Sequence, residues 1–202
     1  MRWFMREEFK EAYAKAKEVL GELGCQLSPL TPTVDILKAV ERITQTDVRV
    51  KYCDFAEFDK KTDNKHGLAK CGAAMYVLPE TDNRKAVVLL NSQETPAMQR
   101  FSLVHELGHL MLNNMNMSSK GFLFSTHIDM DITSFKDEDW ENSKLLKQEQ
   151  LANVFALLVL IPYELLIKAM KKYDSIDDVA KLFGVEKNAV VSRIMLGVNE
   201  GA

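Results

Sequence analysis

A chain of 202 residues with 47% hydrophobic and 27% charged residues has the make-up of a globular protein with a real core, not of a disordered one. A net charge of -3 gives no global electrostatic reason for nucleic acid or an anionic membrane as the main partner, so any DNA contact has to be local. Three scattered cysteines, Cys25, Cys53 and Cys71, form no disulfide framework; a charge-dotted N-terminus without a signal-like apolar core and an apolar run (Leu151 to Pro162) shorter than the ~20 residues of a bilayer span complete the expectation of a soluble, cytoplasmic protein with no membrane partner.

Between Glu7 and Leu23, apolar Phe9, Tyr13, Ala16, Val19 and Leu20 recur at helical spacing, with Gly21 and Gly24 at the end. The turn SPLTPT, Ser28 to Thr33, leads into a second helix, VDILKAVERI, for which Thr33 is the expected cap. Three strands are expected at Asp47 to Phe55, Gly67 to Leu78 and Lys85 to Asn91, separated by the turns FDKKTDNKH and PETDNR. Together they predict a small three-stranded antiparallel sheet with Lys85 to Asn91 at its edge, in an α+β fold that is mostly helical. Pro96 opens a helix running to Asn113, and a long polar connection follows from Met115 to Ser143. A helix from Ser143 to about Leu160 stops at Pro162, a short one covers Tyr163 to Lys172, and two more are joined at Gly184.

The helix after Pro96 carries His105-Glu106-Leu107-Gly108-His109. Residues four apart share a helix face with Cβ atoms about 5–6 Å apart, so His105 and His109 can aim an imidazole nitrogen each at one ion. Glu106 is rotated by about a quarter turn from His105, beside the ion rather than among its ligands, where it can serve as the general base of a zinc peptidase. Gly108 costs about 1 kcal/mol against alanine in a helix interior, a cost that makes sense where another backbone passes close. A catalytic zinc takes three protein ligands, so a third is required. The three-histidine spacing is absent, since positions 112 and 115 are Leu and Met. The strongest third candidate is Glu149, in KQEQLANVFALLVLIP, where Glu149, Ala152, Asn153 and Ala156 form one stripe on a helix whose other faces are apolar. An acid on a buried helix needs a partner, and a metal is a good one. Asn153, one turn on, is placed to hold the second nitrogen of a ligand histidine. His127, Asp129, Asp131 and Glu141 are weaker candidates because they lie in the polar connection.

The pairing of RFSLVHELGHLML with EQLANVFALLVLIP resembles the ImmA/IrrE family of bacterial metallopeptidases, over residues 30 to 198. The resemblance implies a minimal thermolysin-like, zincin-like core holding one Zn2+ per chain, with His105, His109 and Glu149 as ligands and Glu106 as catalytic acid/base. It implies a regulatory endopeptidase that cuts a helix-turn-helix repressor of mobile elements or stress genes. A metallopeptidase domain would then cover residues 1–172 and a helix-turn-helix-like unit residues 173–202. In that tail Ala180, Gly184, Val190 and Ile194 approximate helix-turn-helix spacing, and Lys187, Asn188, Ser192 and Arg193 offer a thin surface for phosphate. The alternative reading is a non-catalytic regulator that binds DNA or protein, with a structural or vestigial metal site. Tyr76, Tyr163 and His127 are candidate oxyanion donors, unranked by the sequence.

Overall fold

The computed structural model describes residues 9–24, 27–61, 71–78, 84–112, 122–126 and 144–197. Two helices come first, α1 (Lys10–Leu23) and α2 (Thr33–Thr44). The apolar stripe buries Ala12, Ala16, Val19 and Leu23 in α1, and Ile36, Ala39 and Val40 in α2. Thr33 is already helical and makes no cap; Pro32 takes that place, with the fixed φ that suits a helix entrance. Strand β1 (Thr46–Cys53) follows and ends before the expected Phe55. The reason is local: the Asp54 carboxylate accepts the Glu57 backbone N–H at 2.9 Å, an N-cap that starts a short helix, α3 (Phe55–Lys61), in place of a turn.

Strands β2 (Cys71–Leu78), β3 (Arg84–Asn91) and β4 (Phe122–Thr126) complete a sheet of order β1-β3-β2-β4. The α+β class with a small sheet is as expected, but three details of the sheet differ. It has four strands among the described residues, because β4 lies inside the supposed polar connection. It is mixed, since β1 runs parallel to β3 while β2 is antiparallel to both β3 and β4. Thirdly, β3 is central, paired on both sides, so the expected edge at Lys85 to Asn91 does not exist. The parallel pairing follows from α3 and β2 carrying the chain out of β1 and back, which lets β3 re-enter in the same direction. The described edges are β1 and β4. On β1 the Val48 N–H is taken by the Glu41 carboxylate of α2 at 2.9 Å, which blunts that edge.

Helix α4 (Pro96–Met111) lies across β2 and β3, and α5 (Lys144–Leu160) packs against α4 in the most extensive helix-to-helix contact of the described elements. Every residue of α5 from Gln150 onward is buried, through to Pro162. At about 1.5–3 kcal/mol for each fully buried large apolar side chain, Leu157, Phe155 and Val154 account for the helix's apolarity as core. No single described helix is long and apolar enough to cross a membrane. Helices α6 (Tyr163–Lys172), α7 (Ile176–Phe183) and α8 (Lys187–Leu196) close the chain. Gly184, left-handed at φ 62°, ends α7 as the sequence predicts, and Val179, Phe183 and Val190 join the same apolar cluster as α4 and α5.

Candidate metal centre

Helix α4 is set by a strong local signal: Thr95 accepts the Met98 N–H at 3.1 Å, and Pro96 occupies the first helical position. From Phe101 to Leu112 it is buried on every side, so its histidines sit in the interior rather than on an amphipathic face. Gly108 explains how α5 comes so near. A Cβ on residue 108 would meet the Ala152 Cα and carbonyl oxygen at 3.3 Å and Phe155 Cδ1 at 2.9 Å. The small stripe of α5 is pressed against the small residue of α4, and this contact puts Glu149, one turn before Ala152, over the two histidines.

The structure brings His105, His109 and Glu149 together. His105 Nε2 is 3.1 Å from His109 Nε2 and 3.1 Å from Glu149 Oε2, and His109 Nε2 is 3.4 Å from Glu149 Oε1. The two rings meet edge-on, with centroids 4.8 Å apart. The two Glu149 distances go to different carboxylate oxygens; with one ligand atom from each residue, the three atoms lie within 4.8 Å of one another, close enough to converge on a single ion. The donor chemistry agrees. Asn153 Oδ1 lies 2.7 Å from His105 Nδ1, so Nδ1 carries the proton it donates and Nε2 presents its lone pair to the cluster. Two imidazole nitrogens facing each other beside a carboxylate in a buried setting call for a cation between them. Burial pushes the Glu149 carboxyl up, but His105 and His109, when their Nε2 atoms carry protons, outweigh it through hydrogen bonds and charge and hold the group well below the usual carboxylate range.

Glu106 is fully buried beside this cluster and does not belong to the ligand group. Next to it runs the start of β2. The β2–β4 register slips between Cys71 and Ala73, and a Cβ on Gly72 would come within 2.9 Å of Ser102 Oγ, one helical turn before Glu106. The Asn91 amide donates to the Cys71 carbonyl at 3.3 Å, carrying the β2–β3 ladder past the irregularity. Burial pushes the Cys71 thiol up to about 11, helped by the negative charges of Glu106, Asp59 and Glu149. Sequence reasoning missed this wall; the isolated Gly72 inside a strand pattern was the available signal. Of the oxyanion candidates, Tyr76 alternates with Met75 and Val77, which enter the core beneath α4, so it belongs to the other sheet face. The Tyr163 ring faces the Arg193 guanidinium at 5.9 Å. His127, like Asp129, Asp131 and Glu141, lies outside the described residues.

The tail offers less to nucleic acid than its spacing suggests. Ser192 and Arg193 are buried, and Arg193 Nε donates to the Ile161 carbonyl at 2.9 Å. Lys187 is paired with Asp177 at 2.9 Å and Lys181 with Asp178 at 3.4 Å, so the lysines here are matched by acids of the same unit. The surface expected at Ser192 and Arg193 is therefore withdrawn: an arginine whose guanidinium caps a helix end cannot also reach phosphate.

The chain matches the family model described as the IrrE N-terminal-like domain, peptidase M78, over residues 43–195. No curated protein matches it. A match across most of the chain places it in that family, so it is a metallopeptidase-type protein with an α+β zincin-like fold. Its His105, His109 and Glu149 form a group able to hold a metal ion.

Proposed function

We propose that this member of the IrrE-like peptidase family is a cytoplasmic zinc endopeptidase that makes one specific cut in a helix-turn-helix repressor, releasing a mobile element or stress genes from repression. The observation that carries the reading is the convergence of His105, His109 and Glu149, whose ligand atoms lie within 4.8 Å of one another, with the buried Glu106 on the same helix as both histidines. A structural metal site has no use for a general base at that position. When bound, zinc supplies Lewis acidity, polarising the scissile carbonyl and acidifying water. The chain's own residues do the rest. His105, His109 and Glu149 hold the ion, Asn153 fixes the His105 ring, and the Glu106 carboxylate takes a proton from water and delivers it to the leaving amine. Burial of Glu106 keeps that carboxylate in a low-dielectric pocket, where it acts strongly on a nearby charge.

A substrate segment held by strand addition needs an open sheet edge, and β4 is the candidate, since no described strand pairs with its outer side. Its Thr126 end pairs with Cys71, whose thiol is within electrostatic reach of Glu106 and Glu149, so β4 leads toward the site. An extended linker can present its carbonyl there; a folded helix cannot, which favours a cut in an inter-domain linker. The alternative, a DNA-binding regulator, loses support from the buried Arg193 and the acid-paired lysines. The test is incubation of wild-type protein and Glu106→Gln with helix-turn-helix repressors encoded in the same genome, read by fragment mass. One cut by wild type and none by Glu106→Gln, with zinc content equal in both, is expected. Equal fragments from both, or free digestion of casein, would refute the specific-protease reading.

A further inference from the structure

In helix α5 Glu149 lies one turn before Ala152, and Ile161 follows the helix's C-terminal end. At Ala152 it faces Gly108 of α4, where a Cβ on residue 108 would stand 3.3 Å from the Ala152 Cα and carbonyl oxygen. With a rise of 1.5 Å per residue, Glu149 lies about 4.5 Å from that contact and Ile161 about 13.5 Å on the opposite side. Measured from Gly108, Glu149 thus stands on a short arm of the helix and Ile161 on a long one.

Helix α8 holds the end of the long arm. Arg193, only 1% exposed, donates to the Ile161 carbonyl at 2.9 Å and lies over the Tyr163 ring. At its N-terminal end, the α8 cap residue Glu186 accepts the Thr95 hydroxyl at 2.8 Å, and Thr95 is the residue that caps α4. One helix therefore bridges the start of α4, which carries both histidines, and the end of α5, which carries the glutamate. A guanidinium is a costly group to bury where packing alone is needed, and its planar fork fixes direction as a methylene chain cannot.

We propose that α8 is a strut that sets the angle between α4 and α5, and that Arg193 and Glu186 are positioning residues for Glu149 at the metal. The proposal rests on the metal-site reading. By the ratio of the arms, a shift of about 1.5 Å at Ile161 moves Glu149 by about 0.5 Å, the tolerance of a metal site. The test is zinc affinity, measured by competition with a chromophoric chelator, for Arg193→Met and Glu186→Ala in the wild-type and Glu149→Ala backgrounds, with folding checked by circular dichroism. Arg193→Met is expected to weaken zinc about tenfold and Glu186→Ala about threefold in the wild type, with neither weakening Glu149→Ala further, since the short arm then has no ligand to deliver. Should Arg193→Met not fold, the Glu186→Ala comparison decides alone. Unchanged affinity in folded variants, or equal losses in both backgrounds, overturns the strut. Retention of zinc by the His105→Ala control would instead overturn the metal site itself.

Discussion

Gly108→Ala tests the contact on which the site is built. In an ordinary helix the change gains about 1 kcal/mol. Here the new Cβ would stand 3.3 Å from the Ala152 Cα and carbonyl oxygen and 2.9 Å from Phe155 Cδ1, against an ordinary carbon contact of about 3.5–4.0 Å. Cδ1 is at the base of a fully buried ring, so the phenyl group and the α5 backbone both have to give, the backbone by a few tenths of an ångström. Overpacking of this kind costs about 1–3 kcal/mol, so the propensity gain is outweighed and the net loss is about 1 kcal/mol. In a chain of this size that lowers Tm by about 2–4 °C. The retreat is also close to the half-ångström tolerance of a metal site, and it falls one turn from Glu149, so zinc affinity should drop about tenfold. Thermal melts and chelator competition read the two effects. Gly21→Ala, on an exposed part of α1 with no atom within 4 Å of the new Cβ, is the control and should raise Tm. If Gly108→Ala behaves like Gly21→Ala, with higher Tm and unchanged zinc affinity, the close approach of α5 does not constrain the site and the reasoning fails.

Asn153→Ala removes the acceptor of the His105 Nδ1 proton, and zinc affinity should fall about 10–100-fold while the far-ultraviolet spectrum is kept; wild-type affinity would mean that the 2.7 Å contact does not orient the ring. Zinc present at about 100-fold over its Kd should stabilise the protein by about 2.7 kcal/mol, so a strong chelator should lower Tm by about 5–11 °C in the wild type and leave His105→Ala unmoved. The raised Cys71 thiol, buried and facing negative charge, should stay unmodified by iodoacetamide at pH 8 in the native protein and react once it is denatured, as peptide mass mapping would reveal; rapid native labelling would contradict its burial.

Much of the site was legible because it is built from local periodicity. The four-residue spacing of His105 and His109, the Thr95-Pro96 helix start, and the stripe of Glu149, Ala152, Asn153 and Ala156 are properties of single helices, and each needs only 3.6 residues per turn to be read. The cost of Gly108 in a helix pointed to a close neighbour, and the neighbour proved to be Ala152. What a single element cannot encode is its partner. That β3 pairs on both sides, and in parallel with β1, depends on where α3 and β2 return the chain, so a strand that looks like an edge by composition becomes the centre. Strand β4 was hidden within a polar connection because a five-residue strand gains its definition from the ladder it joins. Arg193 read as a surface cation until tertiary packing placed the Ile161 carbonyl against it. Local sequence determines which side chains share a face, because that follows from backbone geometry; which faces meet, and at what angle, is decided only when the whole chain closes around one core, because burial energy is summed over contacts far apart in the chain.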